Sequence, residues 1–197
     1  MKKNLLSLCV ALAALVVAAL PGCSTNTKGD SASPVFLAGD FELLPLSVNV
    51  ASNAPVQFST TVLRNRLKIP NATTVQFLDV QVDKYTVTWS RLDGGTRASA
   101  SEDFPGNVIV PPNGSSTLTD YPYMTADNLI RPPLDQLFPF NGGIDRETGR
   151  AEIRQAGHVT WFGHTLSGQP VTSDAATFGL IFFFSPTAGR IELKRAK

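Results

Sequence analysis

Val171-Thr172-Ser173-Asp174-Ala175-Ala176-Thr177-Phe178-Gly179-Leu180-Ile181-Phe182-Phe183-Phe184 is the stretch on which the fold turns. In an extended chain successive side chains point to opposite faces. Phe178, Leu180, Phe182 and Phe184 therefore share one face, and Ile181 and Phe183 share the other. A strand that is apolar on both faces belongs inside a sheet or beneath a covering layer. Residues 151–162 carry a second β-rich run, and 163–169, with Ser167-Gly168 at the tip, reads as the turn between them. The two runs predict a final hairpin.

The same signature recurs towards the N-terminus. Val56, Phe58, Thr60 and Val62 alternate with Gln57, Ser59 and Thr61, as in a half-buried strand. From Thr74 to Ser90, Val75, Phe77, Val80, Val82, Tyr85, Val87 and Trp89 form a long β-rich passage. Asp79 and Asp83-Lys84 interrupt it, which predicts two strands or one bent strand. Asp93-Gly94-Gly95-Thr96 is a turn signal. Val108-Ile109-Val110 then runs into a second turn, Pro111-Pro112-Asn113-Gly114-Ser115-Ser116. Residues 126–140 differ: Leu129, Ile130, Leu134, Leu137 and Phe138 are spaced almost helically, but Pro132-Pro133 breaks any single helix. A short helical turn from about Pro133 is expected. Six to eight strands punctuated by glycine and proline predict an all-β fold, an antiparallel β-sandwich with immunoglobulin-like layering. A small barrel is the rival.

The N-terminus carries a different message. Met1-Lys2-Lys3-Asn4 precedes an apolar run from Leu5 to Leu20, followed by Pro21-Gly22-Cys23-Ser24. A positive start, an apolar middle and a small residue before the cut are the parts of a secretory signal. The run is somewhat shorter than the roughly 20 residues that span a bilayer core, so an uncleaved membrane helix is the weaker alternative. Leu20-Pro21-Gly22-Cys23 resembles the lipobox of bacterial lipoproteins, although Pro21 departs from the usual small residue. The resemblance implies diacylglycerol on the Cys23 thiol, cleavage just before it, and acylation such as palmitate on the new amine. Stable anchoring takes about two acyl chains, at about 0.8 kcal/mol per buried methylene, and a di- or triacylated cysteine supplies them. Cys23 is followed by Ser24 rather than the aspartate that marks inner-membrane retention in the enteric lipoprotein pattern, which favours the outer membrane.

The expected organisation is a cleaved lipoprotein signal peptide at 1–22, the lipidated cysteine and a flexible tether at 23–34, and the β-sandwich at 35–197. Ser24-Thr25-Asn26-Thr27-Lys28-Gly29-Asp30-Ser31-Ala32-Ser33 is too poor in apolar residues to fold by itself. The chain holds 17 basic and 16 acidic residues, and loss of Lys2 and Lys3 leaves 15 against 16. No basic block is long enough to track a phosphate backbone, so no nucleic-acid partner is expected; the densest basic stretch is the tail at 190–197. The only cysteines are Cys9, within the signal, and Cys23. The domain has no disulfide, thiol nucleophile or cysteine metal ligand, and its stability rests on packing.

The order Tyr85-Thr86-Val87-Thr88-Trp89, Asp93-Gly94-Gly95-Thr96 and His158-Val159-Thr160-Trp161-Phe162-Gly163-His164-Thr165-Leu166-Ser167-Gly168-Gln169-Pro170-Val171 resembles a group of uncharacterised bacterial lipoproteins with an immunoglobulin-like β-sandwich. The resemblance spans about two thirds of the mature chain. It implies the fold and carries no activity.

Few residues suggest chemistry. His158 and His164, if on one strand, share a face but lie about 20 Å apart, too far to hold one metal without a bend at Gly163. Asp145 and Glu147, after Asn141-Gly142-Gly143, are weak calcium candidates, lacking the full spacing of a calcium loop; a polar turn closing at Thr148-Gly149 is the plainer reading. There is no Gly-x-Ser-x-Gly elbow, no phosphate-cradling glycine loop and no paired carboxylates beyond Glu102-Asp103. No cofactor is implied. Phe104, Tyr121, Tyr123, Phe138 and Phe140 sit in proline-rich, loop-like surroundings, where they either plug the core or form a partner patch. The expected function is a non-catalytic binding or structural module of the cell envelope, with an envelope protein or glycan as partner. The alternative is a hydrolase or carbohydrate-active domain using Asp145, Glu147 and His158 or His164.

Overall fold

The structure is a computed structural model that describes residues 33–43, 47–69 and 76–186, with backbone alone at 42 and 43. The expected signal peptide, Cys23, most of the expected tether and the basic tail lie outside the described residues.

Among the described residues nine strands form two sheets. The smaller is antiparallel: β1 (Val35–Leu43) and β6 (Ser115–Met124) flank β3 (Val56–Leu67). The larger runs in the order β2 (Ser47–Asn49), β9 (Ala176–Phe183), β7 (Glu152–Thr165), β4 (Val80–Arg91), β5 (Glu102–Val110). β8 (Pro170–Thr172) also pairs with β7. All pairings are antiparallel except the three-residue contact of β2 with β9. Among the described residues the two sheets are not joined edge to edge, so the fold is a β-sandwich rather than a barrel.

Val56 and Phe58 of β3 and Phe178, Leu180 and Phe182 of β9 face the seam between the layers as their alternation predicts. On β3 the buried positions then pass to Thr61, Leu63, Asn65 and Leu67, and Val62 stands outside the core cluster. From the small sheet Phe41 and Phe58 stack at 4.6 Å, and Tyr123 lies 4.5 Å from Phe58. From the large sheet Phe178 meets Phe58, Tyr123 and Trp89 edge-on at 5.2 to 5.6 Å. Such offset and edge-on pairs satisfy the ring quadrupoles better than a face-to-face sandwich. Glycine makes room where rings cross a strand: a Cβ on Gly157 would strike the Phe178 ring.

The long β-rich passage is one strand, β4, preceded by a 3₁₀ turn at Gln76–Leu78, and it bends at a bulge between Val82 and Lys84. The final hairpin forms with β7 as one arm, but the other arm is split. Residues 173–175 leave the ladder between β8 and β9, while the Ser173 N–H and hydroxyl still bond Trp161. The turn after Val110 does not close a hairpin within one sheet; it carries the chain from the large sheet to the small one. The helical segment resolves into α1 (Ala126–Leu129) and 3₁₀ turns at Leu134–Leu137 and Pro139–Asn141.

The sandwich has two ends. At one, β1 begins, β3 finishes and β4 begins: the Pro34 carbonyl accepts from the Lys68 N–H, and Asn65 donates to the carbonyls of Leu78 and Val110. At the other, β4 finishes and β7 begins, with the helical segment between β6 and β7.

Candidate functional site

The second end is built around a buried charge. Arg91 closes β4 opposite Gln155, with its side chain 2% exposed. Its Nε and Nη2 grip Asp93 at 2.8 and 3.0 Å, Nη2 reaches Asp145 at 2.6 Å, and Nη1 donates to the Arg97 carbonyl at 3.0 Å. Both aspartate side chains are 0% exposed. Asp93 also accepts from the N–H groups of Gly95 and Arg154, and Asp145 from the Thr148 N–H and hydroxyl. Gly95 is required here, because a Cβ at that position would collide with the guanidinium.

A buried ion group survives only when its remaining donors and acceptors are satisfied, and this one is. Burial opposes ionisation of Asp93, but hydrogen bonds from Arg91, Arg154 and Gly95 outweigh it and bring its pKa down to about 2. Asp145 is likewise held below the usual carboxylate range: burial again opposes, and Thr148 and Arg91 prevail. Glu147 is lowered by the N–H groups of Thr96 and Arg97 that it accepts from. The two calcium candidates therefore serve an internal cation and a loop backbone. The turn they sit in closes through Asp145 N–H to the Arg150 carbonyl and Gly149 N–H to the Asp145 carbonyl.

Arg91 thus ties loop 92–101 to the segment 125–151. Further polar contacts stiffen that segment. Thr125 caps α1, Glu102 accepts from the Thr125 hydroxyl and Asn128, and Gln136 accepts from the Arg146 N–H. A shallow cavity of about 240 Å3 lies between Ala100, Glu102, Thr125, Asp127, Asn128 and Arg131. On this braced surface Phe140 is 81% exposed, and Ile130 and Ile144 about half. Phe138 lies beneath, 5.3 Å from Phe140 and 5.5 Å from Phe184.

The five aromatics named from the sequence separate clearly. Phe104 and Tyr123 are buried core, Tyr121 is half-buried with its hydroxyl on the Gly106 carbonyl, and Phe138 is half-buried. Only Phe140 is presented to solvent. Phe104, Tyr121 and Tyr123 stand on strands, not loops. Pro105 and Pro122 are tolerated there because β5 and β6 are edge strands, where a missing amide donor breaks no ladder. Ile144 escaped the sequence reading, since an isolated isoleucine beside glycine carries no signal, and Ile130, named only for its helical spacing, proves exposed.

The two histidines stand on the outer face of β7. His158 lies between Ser90 and Thr177, with Nε2 2.9 Å from the Ser90 hydroxyl and Nδ1 3.0 Å from that of Thr177. His164 is 2.9 Å from Asp83. Neither meets Asp145 or Glu147, and among the described residues no three His, Cys, Asp or Glu side chains gather as a metal-holding group.

Comparison with family models, with curated proteins and with solved structures gives no match.

Proposed function

We propose that this chain is a lipid-anchored protein of the bacterial envelope, exported, held through Cys23 to the outer membrane, with its sandwich acting as a non-catalytic binding module. The anchor rests on the Leu20-Pro21-Gly22-Cys23 pattern behind a positive and apolar leader. The binding reading rests on Phe140: its ring is 81% exposed, with Ile130 and Ile144 about half exposed, on a segment braced by a buried arginine. An envelope protein or glycan with an apolar or ring-shaped face fits this patch. The hydrolase alternative needs Asp145, Glu147 and a histidine in one cleft; Asp145 and Glu147 both lie against Arg91, whereas His158 and His164 pair elsewhere with Ser90, Thr177 and Asp83.

Cell fractionation and crosslinking test both parts. Cys23→Ser is expected to move the chain from the membrane to the soluble fraction. Phe140→Ser is expected to leave the fold intact and remove one reproducible crosslinked partner. An unchanged crosslink pattern in Phe140→Ser, or recovery of abundant bystanders alone from the parent, counts against the binding reading.

A further inference from the structure

The end of the sandwich where the chain enters carries a second apolar group. Ile69 is 69% and Phe77 68% exposed, with Leu166 at 43%. Phe77 and Leu166 are neighbours: the Ser167 N–H donates to the Phe77 carbonyl and the Leu166 N–H to that of Asp79. Ile69 follows Lys68, whose N–H bonds Pro34 at the start of β1, and the Lys68 ammonium lies 5.0 Å above the Phe36 ring. Arg66, paired with Phe36 across the ladder, is exposed on the same strand end. Asp79 is the acid closest in sequence to Phe77. Exposed apolar side chains fringed by lysine and arginine are the composition of an interfacial surface: the apolar groups enter the headgroup boundary and the cations meet anionic lipid.

We propose that this end of the domain docks on the lipid bilayer, with Phe77, Leu166 and Ile69 at the interface and Arg66 and Lys68 against anionic headgroups. The inference rests on the reading that Cys23 is acylated. Chain geometry then chooses the end. Nine residues lie between Cys23 and Ser33, making ten chain steps, so the tether reaches at most about 35 Å. The thirteen steps of β7 from Glu152 to Thr165 rise roughly 43 Å. The tether is too short to fold back along the sandwich and lay the Phe140 end on the membrane. It is long enough to let the Phe77 end settle there. Docking therefore leaves Phe140 pointing away from the bilayer, towards a partner.

The test uses the full mature lipoprotein purified from membranes and reconstituted in vesicles containing anionic phospholipid. The chain has no cysteine beyond Cys9 and Cys23, so single variants Phe77→Cys, Leu166→Cys and Phe140→Cys accept one fluorophore each. Brominated lipid is expected to quench the labels at 77 and 166 by about half or more, since an interfacial side chain sits some 5–10 Å into the headgroup boundary. The label at 140 stays unquenched. Adding Arg66→Glu and Lys68→Glu is expected to reduce quenching at 77. Two labelled positions guard against one variant failing to fold. If the protein is acylated and membrane-bound yet 77 and 166 are quenched no more than 140, the docking inference falls and the anchor stands. If intact mass shows no acyl chain on Cys23, the anchor falls and takes the inference with it.

Discussion

Arg91→Met isolates the contribution of the buried cluster. The substitution keeps most of the side-chain volume and removes the charge. It abolishes two hydrogen bonds to Asp93, one to Asp145 and one to the Arg97 carbonyl. Two carboxylates that are 0% exposed are left without their cation. Breaking a buried pair from one side costs about 3–5 kcal/mol, because an uncompensated charge stays behind. At roughly 2–4 °C per kcal/mol for a domain of this size, the melting temperature should fall by about 6–20 °C. The triple variant Arg91→Met, Asp93→Asn, Asp145→Asn removes the stranded charges and is expected to recover a large part of that loss. Simple additivity predicts the opposite, a triple worse than the single.

Acid provides an independent arm. Asp93 titrates near 2 in the folded chain against an ordinary 3.8. Its folded value is depressed, so its contribution is complete above about pH 4 and is lost as pH falls from about 4 to about 2. The shift corresponds to about 2 kcal/mol. Urea unfolding of the parent at pH 6, 4 and 2.5 should show that loss, and the triple variant should not show the part due to Asp93. A single variant within about 1 kcal/mol of the parent, or a triple no better than the single, would falsify the account of the cluster as a buried, fully compensated clamp.

Two further substitutions test the core. The buried Tyr123 hydroxyl has no hydrogen-bond partner among the described residues, whereas that of Tyr85 donates to the Pro122 carbonyl, and burial pushes both phenols well above their usual range. Tyr123→Phe is therefore expected to be neutral or stabilising by up to about 1 kcal/mol and Tyr85→Phe to cost about 1–2 kcal/mol, read from urea midpoints; equal losses would contradict the contrast. Gly163→Ala places a methyl on the backbone of Gln81 and Val82, where the strands cannot separate without breaking the ladder. A loss of about 2–3 kcal/mol with an unchanged denaturant slope is expected, and retention of parental stability would show that the β4 bulge yields.

The layers were legible where burial follows a local period. Val56 and Phe58 on β3, and Phe178, Leu180 and Phe182 on β9, announce their faces because each sheet turns one side to the other. The cluster was not legible, because Arg91 and Asp145 are 54 positions apart and each looks locally like a turn residue. A carboxylate beside glycines reads as a cation ligand from sequence; the structure shows that the cation is an arginine from β4. Phe104 and Tyr123 were ambiguous for another reason. Proline beside them signals a loop, and only the sheet order reveals that their strands are edges that accept it.

A domain without disulfides must hold its ends by other means, and the two polar clamps do so. Asn65 joins β3 to the carbonyls of Leu78 and Val110 across the sandwich at one end, and Arg91 joins loop 92–101 to segment 125–151 at the other. Each is buried, so removing it leaves buried polar groups unpaired and destabilises the region around it. Phe77 and Phe140 lie outside these clamps, largely exposed, and their rings bury little on folding. Stability and the two proposed surface roles thereby fall to different residues at both ends. Substituting Phe77 or Phe140 should alter attachment or partner capture at nearly constant stability, whereas substituting Asn65 or Arg91 should lower stability and leave the side chains of both surfaces in place. That separation makes the two surfaces testable one at a time.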